Sequence, residues 1–105
     1  MLNYETKAHS YLFLIDTLIN ISNYQDNSSK IDSIVSSLIK TTDSSIALVN
    51  QKSEKDYLLK NKKVFKQIIK SNSIQNKDSL NTYTYKWRKL SLDKNKPKEQ
   101  ENIDF

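Results

Sequence analysis

A chain of 105 residues has room for one domain, and at this size only about two thirds of the surface exposed by the unfolded chain becomes buried, so the core is thin. Leu, Ile, Val and Phe fill 28 positions, above the roughly 20% that separates folding chains from disordered ones; with a mean hydropathy of −0.72 and a net charge of +5, the chain should fold with little margin and gain stability from a partner or from self-association. Glycine and cysteine are absent and Pro97 is the only proline, which argues against hairpin-rich sheets and excludes disulfides, thiolate metal sites and a cysteine nucleophile.

At about 100° per residue, Tyr4, Ala8, Tyr11, Leu12, Ile15, Leu18 and Ile19 fall on one stripe, which predicts a first helix over roughly residues 3–22. The apolar run from Tyr11 to Ile21 is interrupted by Asp16, Thr17 and Asn20 and is shorter than the roughly 20 residues a bilayer requires. It reads as a core helix. A polar break at Asn23, Asp26, Asn27 and Ser28 follows, and Ser29 with Asp32 has capping-box spacing for a second helix beginning at Lys30, with Ile31, Ile34, Val35, Leu38 and Ile39 on its buried face.

Thr41 to Ser45 are poor interior helix residues, yet Ile46 and Val49 stay on the stripe begun at Ile31, so the helix is read as continuing through a weak point. A boundary is placed near Asn50 to Asp56, where no apolar residue occurs and Ser53 with Asp56 repeats the cap spacing. The third helix, about residues 54–71, gathers Tyr57, Leu58, Val64, Phe65, Ile68 and Ile69 on one arc, and Lys55, Lys60, Lys62, Lys63, Lys66 and Lys70 on the other. That arc is rotated by about 120° from the stripe begun at Ile31, so no heptad is sustained and two helices are favoured over one helical arm of a long hairpin spanning residues 30–71.

Asn76 or Asp78 is positioned to cap a fourth helix carrying Leu80, Tyr83, Trp87 and Leu90. A strand competes there, because Tyr83, Tyr85 and Trp87 alternate with polar residues, but no second strand is in view to pair with it. The expectation is therefore an all-α protein: a small three- or four-helix bundle or long helical hairpin, with a single domain over residues 1–92 and a disordered, lysine-containing tail over residues 93–105.

His9 is the only histidine, with Glu5 one turn before it, and no ligand spacing surrounds the pair; it reads as a polar residue flanking the core stripe. The acidic pairs Asp26 with Asp32 and Glu54 with Asp56 lack the apolar surroundings that would raise a carboxyl pKa, so they read as caps and solvated faces. Without glycine there is no phosphate-cradling loop, dinucleotide fingerprint or nucleophile elbow. No catalytic residue, cofactor or metal is assigned, and the protein is expected not to be an enzyme.

Charge is unevenly spread. Residues 1–50 hold three lysines against five acids, a net of −2, whereas residues 51–105 hold 14 basic residues against seven acids, a net of +7. Arg88 is the only arginine, and the abundance of lysine, asparagine and isoleucine reads mainly as a coding bias, so lysines on an outer helix face carry little information by themselves. No signal or transit peptide is evident, and an intracellular location without membrane association is expected.

The leading expectation is a non-enzymatic protein-interaction module, a small helical subunit or adaptor of a larger assembly or a homo-oligomer, with Tyr57, Phe65, Tyr83, Trp87 and Leu90 as contact candidates. Trp87 is the residue whose loss should hurt most. A second reading is nucleic-acid binding through Lys62, Lys63, Lys66, Lys70, Lys86 and Arg88, with Trp87 as a ring on which a base could stack. A third is a protein that inhibits by binding: small basic helical bundles of this length include bacteriocin immunity proteins and minor helical subunits of organellar complexes, a similarity of size and class with no motif to carry residues across.

Overall fold

The computed structural model describes residues 4–94, residues 4 and 5 by their backbone alone. Among them are four α-helices, α1 (Tyr4–Asn20), α2 (Ser28–Leu48), α3 (Lys52–Ser73) and α4 (Lys77–Lys94), with one 3-10 turn (Tyr24–Asn27) between α1 and α2 and no strand. Each helix packs on its neighbours in sequence and α4 closes back on α1, while the backbones of the diagonal pairs α1/α3 and α2/α4 stay apart across the core. Short connections force antiparallel neighbours, giving an up-down-up-down four-helix bundle. The two interfaces made by α3 are the most extensive, and α1 packs more lightly.

The first connection departs from the expected cap. Asn27, not Ser29, precedes the helix, and its side chain does not cap α2. Its amide turns inward and donates to the Leu18 carbonyl at 3.4 Å. The 3-10 turn is then fastened to the far end of α3: Asn72 Nδ2 donates to the Ser28 carbonyl at 2.7 Å, while its Oδ1 accepts from Ser28 Oγ at 3.1 Å and from the Tyr24 hydroxyl at 3.3 Å. Tyr24 is buried here, and that burial raises its phenol above the usual value of 10.0.

Residues 30–71 form two helices. Val49 (φ −89, ψ 145) and Gln51 (φ −81, ψ 132) are extended, and α3 starts at Lys52 without a side-chain cap, so Ser53 does not cap it. The extended residues supply the change of phase read from the apolar arcs. The threonines expected to weaken α2 do not break it: Thr42 is fully buried and its hydroxyl returns to the Leu38 carbonyl at 2.7 Å.

Between α3 and α4 the amides of Gln75 and Asn76 donate to the carbonyls of Asn72 and Ser71, the paired bonds of a Schellman cap. Gln75 takes the left-handed position, at φ 53, in a chain that has no glycine to offer. Asn76 then starts α4, its Oδ1 accepting the Ser79 amide at 3.0 Å. Residues 83–92 are helical, so the competing strand is not formed. Asp93 and Lys94 belong to the last turn of α4, and the rest of the expected tail, residues 95–105, lies outside the described residues.

The core gathers Leu12, Ile15, Leu18 and Ile19 from α1, Ile31, Val35 and Leu38 from α2, Leu58, Phe65 and Ile68 from α3, and Leu80 and Trp87 from α4. Ion pairs tie the seams from outside: Lys62 to Asp43 at 2.6 Å across α2/α3, Lys94 to Glu54 at 2.9 Å across α3/α4, and Arg88 to Asp16 across α4/α1.

Candidate functional site

On α4 the residues turned fully inward are Leu80, Thr84, Trp87 and Ser91, at i, i+4, i+7 and i+11. Tyr83 and Leu90 therefore lie beside the buried stripe instead of on it, half-covered and facing α3. On α3 the same holds for Val64 and Gln67, which flank the buried Phe65 and Ile68. Where these two rows meet, the surface dips into an open groove of about 520 Å³, lined by Val64, Gln67, Tyr83 and Leu90 and by Lys60, Lys63, Lys86, Lys89 and Asp93.

The groove is an apolar trough between two basic banks. Lys60 and Lys63 stand on the α3 side, Lys86 and Lys89 on the α4 side, and Asp93 is the one acid among the lining residues, leaving a net of +3. Lys86 Nζ sits 5.0 Å from the centre of the Tyr83 ring, within cation–π range. Among the described residues the ion pairs do not involve these four lysines: Asp43, Asp16 and Glu54 pair with Lys62, Arg88 and Lys94. Beyond the α3 bank, Leu59 is half exposed among Lys60, Lys62, Lys63 and Lys66, so the basic surface continues over the outer face of α3. A smaller depression, about 410 Å³, lies between α1 and α2 at Leu14, Leu18, Ser29, Lys30, Ser33 and Ile34.

Of the five residues expected to contact a partner, Tyr83 and Leu90 line the groove and Tyr57 is half-buried. Phe65 and Trp87 are inside the core at 0% and 1% exposure, where no partner of the folded monomer touches them. Of the six basic candidates for nucleic acid, Lys63 and Lys86 are on the banks, Lys66 and Lys70 are exposed on α3, and Lys62 and Arg88 are held in ion pairs. The buried Trp87 offers no face to a base. Val64, Gln67, Lys60 and Lys89 were not among the candidates, because the groove is a product of how α3 and α4 pair and has no linear signature.

His9 accepts from or donates to Ser91 Oγ at 2.7 Å across the α1/α4 seam, so it joins two helices. Among the described residues no three His, Cys, Asp or Glu side chains gather in a way that would hold a metal ion. No helix there is long and apolar enough to cross a membrane.

Fold and site together define an antiparallel four-helix bundle that carries a lysine-banked apolar groove. No family model, curated protein or solved structure matches the chain.

Proposed function

We propose that this chain is a non-enzymatic protein-interaction module, a small helical subunit or adaptor that docks into a larger assembly through the α3/α4 groove. The observation that carries this reading is the half-open row of Val64, Tyr83 and Leu90, apolar side chains that the bundle's own packing leaves accessible beside a filled core. Grooves between two packed helices are a standard seat for a third apolar surface. The lining chemistry of lysines, one glutamine, one tyrosine and one carboxylate offers charge and apolar contact without a nucleophile and base held in hydrogen-bond reach.

The test uses the intact chain, tagged and retrieved from its native cells with nuclease present, alongside Val64→Asp and Leu90→Asp variants. Each variant is first checked by circular dichroism for an unchanged helical spectrum. A stoichiometric protein partner held by the parent and released by both folded variants supports the reading. Association that vanishes with nuclease, or that ignores both substitutions, refutes it.

The nucleic-acid reading keeps one favourable observation, the run of exposed Lys60, Lys63 and Lys66 continuing from the groove across α3. Its expected signature is affinity that falls steeply with salt and drops on changing Lys63 and Lys66 to Glu. The apolar floor has no role in gripping a phosphate backbone, which is why docking of a protein is the preferred reading.

A further inference from the structure

We infer that the occupant of the α3/α4 groove is an amphipathic helix with an apolar ridge bordered on both sides by carboxylates. The inference rests on the protein-docking reading above and adds to it the chemistry of the partner.

Charge complementarity points to an acidic partner. Each bank carries two lysines three residues apart, Lys60 with Lys63 and Lys86 with Lys89, so each pair projects from one side of its helix about one turn apart along the trough. None of the four belongs to an ion pair among the described residues, whereas Lys62, Arg88 and, at the end of this same seam, Lys94 are matched with acids. Four cations facing one another across an apolar floor repel each other, and Asp93 offsets only one of them. A partner bringing acids to both flanks relieves that repulsion while its ridge covers Val64, Tyr83 and Leu90.

Helical form follows from the shape of the floor. Tyr83 and Leu90 are seven residues apart on α4, about 10.5 Å along the helix axis at 1.5 Å per residue, which matches the i, i+7 repeat of an apolar stripe on a second helix. A third helix laid along an antiparallel pair also repeats the packing that builds the rest of the bundle. No strand is present among the described residues, so there is no sheet edge to which an extended peptide would add. A single-stranded nucleic acid would use the lysines but leave the floor empty, and the ring on that floor, Tyr83, is half-covered and already faces Lys86.

The experiment is titration of the intact protein with fluorescently labelled helical peptides of about 18 residues, five turns of helix. The probe carries Leu at i, i+3, i+7 and i+10 with Glu on both flanks; comparison peptides replace every Glu by Lys, or keep the composition but scatter the Leu positions. Binding of the Glu-flanked peptide, with amide shifts centred on Val64, Tyr83 and Leu90, is expected. Lys63→Glu combined with Lys86→Glu should weaken it about tenfold, a loss of about 1.4 kcal/mol, and should raise affinity for the Lys-flanked peptide.

Equal binding of the scattered peptide means that charge alone acts and overturns the helix. Preference for a labelled oligothymidine over the Glu-flanked peptide overturns the partner class. If neither the peptide nor the charge reversal has an effect while Val64→Asp and Leu90→Asp still release the native partner, the acidic-helix inference falls and protein docking stands. If those floor variants also retain the partner, both fall.

Discussion

Phe65 and Trp87 meet edge to face between α3 and α4, their ring centroids 4.7 Å apart and their planes at 86°. Both rings are almost completely excluded from water, and they lie directly beneath the groove whose floor is made by their sequence neighbours Val64 and, one turn away on either side of Trp87, Tyr83 and Leu90. The arrangement favours the positive edge of one ring against the negative face of the other, which adds about 0.5–1.5 kcal/mol to the area that the two rings bury. The groove is thus backed by a buried aromatic pair, and its shape depends on that pair staying in place.

Replacing Trp87 by Ala should cost about 3–5 kcal/mol, from lost burial and from the cavity left against Phe65. A small domain often has only about 5–15 kcal/mol in total, so the variant should melt far below the parent or fail to fold at ambient temperature. Trp87→Phe retains a ring and should lose less. Urea denaturation followed by circular dichroism measures both, and a loss under about 1 kcal/mol for Trp87→Ala would contradict the central place given to this residue.

Tyr24 couples stability to alkaline pH. Burial raises its phenol above the value of 10.0 that it has in the unfolded chain. Below pH 10 the phenol is protonated in both states and the full contribution of the Tyr24 hydroxyl, including its 3.3 Å bond to Asn72, is present. Above pH 10 the unfolded chain releases the proton first, binds fewer protons than the folded state, and stability falls as pH rises until the folded phenol also ionises. Tyr24→Phe should remove that part of the decline. The quantity to measure is the difference in unfolding free energy between parent and variant from pH 8 to pH 11, which cancels the lysines common to both; a difference that stays flat would refute the assignment.

Gln75 occupies a left-handed turn at φ 53, the position in a Schellman cap that glycine fills without strain. For a residue with a Cβ this conformation costs about 1–2 kcal/mol, and glycine gives back part of that gain through the greater freedom of its unfolded chain. Gln75→Gly should therefore raise stability by about 0.5–1 kcal/mol, read as a higher melting temperature with the same helical content. Gln75→Val, which places a branched side chain at positive φ, should lower it. The reverse order would mean that the turn is held by something other than its backbone geometry.

The residues that were legible in sequence are those whose burial follows from spacing and apolarity together. Ile31, Val35 and Leu38 carry an unbroken helical repeat, Leu58, Phe65 and Ile68 keep theirs across the polar Asn61, and the shift of phase between the two rows is resolved by the extended Val49 and Gln51. Apolarity misleads on α4, where the visible stripe of Leu80, Tyr83, Trp87 and Leu90 mixes two faces. The inward row includes Thr84 and Ser91, and Thr84 is tolerated there because its hydroxyl bonds to the Leu80 carbonyl at 2.7 Å. Residue type leaves Asn76 and Asp78 both open as the cap of α4, of which Asn76 accepts the Ser79 amide, and it carries no sign that Asn27 turns its amide inward to the Leu18 carbonyl. The groove was legible only in part, since Tyr83, Leu90, Lys63 and Lys86 belong to recognisable patterns while their meeting depends on the α3/α4 pairing.

Asn61 supplies a test of how far specificity and stability diverge in this core. It sits at 0% exposure on the inward face of α3, between Leu58 and Phe65 in the buried row, and its Nδ2 donates to the Tyr57 carbonyl at 2.8 Å. That carbonyl is one turn back on the same helix, so the bond fastens no other element. Its Oδ1 is buried without a hydrogen-bond partner among the described residues, and an unpaired acceptor of this kind costs about 1–3 kcal/mol. Leucine has a closely similar shape and removes both polar atoms, so Asn61→Leu should stabilise the fold by about 1–2 kcal/mol, whereas Asn61→Ala should gain less because it leaves a void. If the buried asparagine instead holds α3 in register, Asn61→Leu will still melt at a higher temperature but with a broader transition and poorer dispersion of its amide resonances. Thermal unfolding together with a proton–nitrogen correlation spectrum separates the two effects, and a lower melting temperature for Asn61→Leu than for the parent would show that the Asn61 carbonyl oxygen is satisfied in the folded protein.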